Sequence, residues 1–146
     1  MPSIIGNYDR IEGSIIPVVI LKWSLGDSSH DPDERHHFKA LIDTGASSTC
    51  VSEEVVGKCG LDATGMVPMI GATGEADVEQ FTFAVGFVFP HDQEPSGQTN
   101  ANLIVRPVQG LKFHNGKSTS DVLLGRDIIC DWVFSLSFDG RYIISI

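Results

Sequence analysis

The chain lacks the features that would place it in several large classes. It has three cysteines in 146 residues, Cys50, Cys59 and Cys130, an odd number with no C-x-x-C pair. That argues against a disulfide scaffold and suits a reducing compartment, so a cytoplasmic location is expected. Basic residues are scarce, with 10 Lys and Arg against 19 Asp and Glu and a net charge of -9. A nucleic-acid or anionic-membrane surface needs clustered cations, so neither partner is expected. Long apolar runs are missing too. The opening "MPSIIGNYDRIEGSIIPVVILKW" has no basic n-region, and its run from Ile15 to Leu21 is too short to span a bilayer. Internal repeats and low-complexity stretches are absent. With 42% hydrophobic and 20% charged residues, what remains is an ordinary folded chain, long enough for one core and expected to form a single domain, 1–146.

What is present reads as β-structure. "GSIIPVVILKWSL" is a β-branched strand pattern interrupted by Pro17, which implies an edge or a bulge there. "GDSSHDPDERHH" is a polar loop, and "FKALIDTG" is the next strand. "SEEVVGKCG" carries a serine at the cap position, acids in the first turn and Gly60 at its end, the pattern of a short helix. Two strand-like arms in "MVPMIGATGEADVEQFTFAVGFVF" flank the small residues Gly71 to Gly74, a hairpin signature. "HDQEPSGQT" is expected to be a loop, "NANLIVRPV" a strand and "QGLKFHNGKSTS" a long polar connection. "DVLLGRDIICDW" reads as a buried strand turning at Gly125 into a short helix. "VFSLSFDGRYIISI" closes the chain as two strands joined by the two-residue turn Asp139-Gly140. The class is all-β with one or two short helices.

Several chemical motifs fail on inspection. "GLKFHNGKS" resembles a phosphate-binding loop, yet five residues separate Gly110 from Gly116 where that motif has four, and no helix follows to present its amides. His30, His36 and His37 lie near acids, but neighbouring histidines on a strand point to opposite faces and nothing completes a tetrahedral metal site. A solvated loop is the expectation, with no metal and no cofactor. Cys50, in an apolar setting, is expected to be core rather than a nucleophile.

The stretch "KALIDTGASSTCVS" is different, because an apolar strand runs straight into the carboxylate of Asp43 on a tight turn. Asp-Thr-Gly alone is short enough to arise by chance. "DVLLGRDII" follows about eighty residues later, with the glycine-tipped hairpin between the two. The order of strand, Asp-Thr-Gly turn, hairpin, Leu-Leu-Gly, helix and terminal strand resembles the retropepsin family of aspartic proteases from about Gly13 to the C-terminus.

That resemblance implies a closed, barrel-like β-fold with one lobe per chain. It implies Asp43 as the catalytic aspartate, Thr44 as a cross-subunit grip and Gly45 as the point where backbone approaches substrate. Ala46 and Ser47 would support the same loop. Ile70, Gly71, Ala72, Thr73 and Gly74 would form the flap, and Leu124, Gly125, Arg126 and Asp127 the strand-to-helix turn beneath the site. Two departures stand out. Position 47 is serine where many retroviral enzymes have a second aspartate, which removes an ion pair to Arg126, and the loop from Gly26 to His37 is long.

One acid cannot carry this chemistry. A lone carboxylate is a weak base and no acid at neutral pH. Two carboxylates held within about 3 Å share a proton, so that one serves as base and the other as acid. The chain has a single Asp-Thr-Gly triplet, so an active enzyme would be a homodimer acting on an extended peptide. The terminal stretches "PSIIG" and "RYIISI" would then be expected to interdigitate with the partner subunit. Ala46 offers no hydroxyl to the carboxylate, which implies a mildly acidic working range. A catalytically silent dimerisation or peptide-binding module of the same fold stays open, as does a domain cut from a longer polyprotein.

Overall fold

The computed structural model describes residues 2–23, 36–90, 101–114 and 119–146. The elements in chain order are β1 (Ser3–Asp9), β2 (Gly13–Lys22), β3 (His36–Ile42), β4 (Cys50–Ser52), α1 (Glu53–Cys59), β5 (Ala63–Gly71), β6 (Gly74–Pro90), β7 (Ala101–Phe113), β8 (Val122–Leu124), α2 (Arg126–Ile129), β9 (Val133–Leu136) and β10 (Arg141–Ser145). The strands form one sheet in the order β5-β6-β7-β4-β8-β3-β2-β1-β10-β9, and a further β2–β6 pairing closes the six strands from β6 to β2 into a barrel. The fold is all-β, 65% strand, with two short helices, as the sequence implied.

β2 shows how the sequence makes the barrel. Ile16, Val18 and Ile20 point into the main core with Phe38, Val51, Phe83 and Leu124. The alternate residues Val19 and Leu21 are equally buried, but against Ala84 in a smaller cluster on the other face. A strand sandwiched on both faces reads as a continuous apolar run, which is why the sequence here loses its alternation. Each such fully buried Val, Ile or Phe contributes about 1.5–3 kcal/mol relative to exposure. Pro17 breaks nothing. It lies opposite Lys39 of β3, while on the other side β1 pairs only as far as Ser14 and β6 only from Val19, so its missing N–H falls in the gap.

The short helix α1 follows its capping signals. Ser52 Oγ accepts from Val55 N at 3.4 Å, Lys58 pairs with Glu54 one turn back at 2.5 Å, and Gly60 ends the helix at φ 56°.

Three expectations need correction. His36 and His37 are exposed residues of β3, so the polar loop ends before them; its residues 26–35 fall outside the described residues, as do 91–99 of the second polar loop and Gly116 of the phosphate-loop resemblance. The polar connection begins later than expected, because Gln109 to Phe113 continue β7 and pair with β6 as far as Leu111 and with β4 from there on. The β9–β10 turn is wider than Asp139-Gly140. Ser137 N donates to Arg141 O at 2.7 Å, leaving Phe138, Asp139 and Gly140 as a three-residue loop with Gly140 at φ 84°. The terminal strands pair with each other within the chain, while β1 meets β2 only at Tyr8 and Asp9, so its second edge from Ser3 to Asn7 pairs with no strand among the described residues. β1 pairs with β10 in the same chain from Ser3↔Ser145 to Asn7↔Arg141, and Tyr142 lies across Gly6, where a Cβ would collide with its ring.

Candidate functional site

Asp43 is delivered by β3. Ile42 is buried and pairs with Leu124 of β8, and Asp43 N donates to Leu124 O at 3.0 Å, so the sheet ends at the acid. The chain then turns over the carboxylate. Asp43 Oδ1 accepts from Gly45 N at 2.9 Å and from Ala46 N at 3.2 Å. A side chain at Gly45 would crowd Oδ1 at 3.2 Å, so a small residue suits that position. The backbone thus supplies the donors that a hydroxyl at position 46 would otherwise add. Ser47 is exposed and does not reach the carboxylate.

Beneath the turn, β8 and α2 act as a brace. Arg126 Nη1 donates to Thr44 O at 3.0 Å and to Gly45 O at 3.2 Å, and Arg126 N donates to Ala46 O at 2.9 Å. The missing acid at position 47 therefore leaves Arg126 bound to loop carbonyls instead of to a carboxylate. Gly125 is buried so tightly that a Cβ would sit 2.4 Å from Ser48 C. That contact is with backbone, so no rotamer change could relieve it.

Thr49, which no sequence motif marks, ties the two elements together. It is fully buried. Its hydroxyl donates to Asp127 Oδ1 at 2.7 Å and accepts from Gly125 N at 3.1 Å, while its N–H donates to Asp127 Oδ2 at 2.9 Å. Asp127 has both oxygens committed to Thr49 and is not a free second acid. The available signal was a lone threonine before an apolar strand, which many buried threonines share.

Cys50 is core, as expected. Burial first, then the nearby Asp127 and Asp43 carboxylates, push its thiol up to about 11, which leaves it protonated and unreactive. Among the described residues no group of three or more His, Cys, Asp or Glu side chains could hold a metal. None of their helices is long and apolar enough to cross a membrane.

The hairpin of β5 and β6 projects from the barrel. Its strands pair from Ala63↔Phe81 to Gly71↔Gly74, and Ala72-Thr73 form the turn. Gly71 to Asp77 are all exposed, and Ile70 is 83% exposed. Gly74, at φ 127°, adopts the torsion that demands glycine; Gly71 does not, although the sequence offered both.

The comparisons with known proteins bear on this arrangement. Residues 34–86 match the family described as "gag-polyprotein putative aspartyl protease". No curated protein matches the chain. A retropepsin-like aspartic protease from Rickettsia conorii, solved by crystallography, is similar over 97% of this chain and 89% of that one, with TM-score 0.58 and 19% identity. A Legionella pneumophila protein of unknown function, Lpg0085, aligns over 82% of this chain and 85% of that one at 16% identity, but its TM-score of 0.35 is too low to support an argument.

Proposed function

We propose that this chain, retropepsin-like in its fold and matching an aspartyl protease family across its Asp43 segment, is one half of a homodimeric aspartic endopeptidase. The observation that carries the reading is the Asp43 turn: a single carboxylate at the end of a buried strand, held by two backbone amides and braced from below by Arg126 and Gly125. With Asp127 committed to Thr49, the second acid has to come from the symmetry mate of Asp43.

In that pair the two carboxylates hold one proton between them. The ionised member takes a proton from a water, whose oxygen attacks the carbonyl carbon of the peptide, while the protonated member gives its proton to the carbonyl oxygen. Collapse of the tetrahedral species breaks the C–N bond, and a proton passes from the dyad to the leaving nitrogen. Nothing else is consumed. Thr44, exposed beside the acid with its carbonyl held by Arg126, would meet its counterpart across the two-fold axis. The hairpin tip, Ile70 to Gly74, would close over an extended substrate and exclude water from the charged intermediate.

The test is cleavage of a peptide library by the purified chain and by Asp43→Asn, which is nearly isosteric and keeps an acceptor for Gly45 N. Loss of cleavage by about 1,000-fold or more, with pepstatin-sensitive activity in the wild type, supports the reading. A fully active Asp43→Asn protein moves catalysis elsewhere, and a folded wild type that cleaves nothing favours the silent module.

A further inference from the structure

A cavity of about 430 Å³ lies beside the middle of the β5–β6 hairpin, and the Asp43 turn is not among its lining residues. Met66, Asp77 and Glu79 line it from β5 and β6, and Glu53 and Phe113 from the barrel side. β4 and β7 run parallel, with Cys50 opposite Leu111 and Ser52 opposite Phe113, so both leave the Asp43 end and arrive at the cavity. At about 3.3 Å per residue the cavity is two to three residues of strand, roughly 10 Å, from the end where Thr49 braces the catalytic loop.

Its chemistry is specific. Met66 and Phe113 supply its apolar side chains, and Met66 is 60% exposed although its thioether has nothing to gain from water. The charges are unbalanced. Lys112 lines the cavity but is bonded to Glu79, which holds its ammonium firmly in the charged form. Glu53 and Asp77 make no ion pair among the described residues, and His114 completes the lining. An apolar stem ending in a cation would answer both features at once.

We propose that this cavity binds the side chain of an arginine presented by a polypeptide, with its stem over Met66 and its guanidinium between the ring of Phe113 and the carboxylates of Glu53 and Asp77. Arginine suits it better than lysine because a planar, weakly hydrated guanidinium can stack on an aromatic ring while bonding carboxylates in its own plane. Because the cavity walls belong partly to the hairpin and partly to the barrel, an occupant would tie the two together. The inference stands whether or not the chain hydrolyses peptides, since its test reads binding.

The chain has three methionines, Met1, Met66 and Met69, and Met66 and Met69 lie on opposite faces of β5, so methyl-labelled methionine gives a probe and an internal control. N-acetyl-arginine amide is titrated at pH 8 against its neutral citrulline counterpart. A saturable shift of the Met66 methyl with arginine, at least about fivefold weaker with citrulline and absent at Met69, is the expected result. The double variant Glu53→Gln, Asp77→Asn, shown to be folded by circular dichroism, should lose it. An equal response to citrulline, no response at Met66, or full binding by the folded double variant would overturn the proposal. Cleavage of arginine-scanned peptides then identifies the source. A positional preference for arginine that the double variant loses assigns it to substrate; binding without such a preference assigns it to a separate polypeptide.

Discussion

The Asp43 turn and the tip of the β5–β6 hairpin both carry glycine, and they are built in opposite ways. The Asp43 turn is braced from below: Gly125 packs against Ser48 with no room for a methyl group, Thr49 is fully buried between Gly125 and Asp127, and Arg126 holds two loop carbonyls. The Ala72-Thr73 turn is exposed throughout, its strand β5 pairs only with β6 among the described residues, and Ile70 stands in solvent. The difference teaches where precision is needed. Under the proposed function, a carboxylate that has to meet its twin within hydrogen-bonding distance cannot move, whereas a cover that admits a peptide and then closes must.

The largest effect should come from breaking the brace. Gly125→Ala forces a methyl group against the Ser48 backbone, and we expect a loss of about 3 kcal/mol in stability, with activity lost alongside it. Urea denaturation with a parallel cleavage assay checks this. A variant as stable as the wild type would show that the loop yields and that the contrast between the turns is overdrawn.

The sequence disclosed these turns unequally, for physical reasons. Asp43-Thr44-Gly45 and Leu123-Leu124-Gly125 were legible because a strand ending on an acid or a glycine is a local pattern. Thr49 was not, since its role exists only when Gly125 and Asp127, more than seventy residues away, are folded beneath it. The self-pairing of β1 with β10 escaped for the same reason. Apolar β-branched termini announce that they will be paired, but not with what. Local residues do decide torsion, and there the sequence left two glycines where the structure needs one.

Gly74 and Gly71 accordingly give a paired test of intermediate size. Gly74→Ala puts a side chain at φ 127°, a strain of up to about 1–3 kcal/mol that the exposed turn can relieve by opening locally, so turnover should fall several-fold while the global unfolding midpoint moves less than the full strain would require. Gly71→Ala meets nothing closer than Gly74 O at 4.0 Å and should be nearly silent. Matching losses in both variants would mean that glycine is needed there for a reason other than backbone torsion.

The smallest effect concerns Ala46, whose backbone N–H already serves the carboxylate. Ala46→Ser adds a hydroxyl able to bond the ionised form, and the acid limb of the pH–rate profile should move toward acid by about one unit at most. An unmoved acid limb would show that the two amides from Gly45 and Ala46 leave no vacant acceptor for the added group.

The central claim, that two chains each lend one Asp43, is tested most directly by mixing. Wild type and Asp43→Asn chains are combined at constant total concentration, allowed to exchange, and assayed. If each site needs both carboxylates, activity follows the square of the wild-type fraction, falling to about a quarter at equal parts. A fall in simple proportion, to about half, would mean that each chain works alone and would contradict the account.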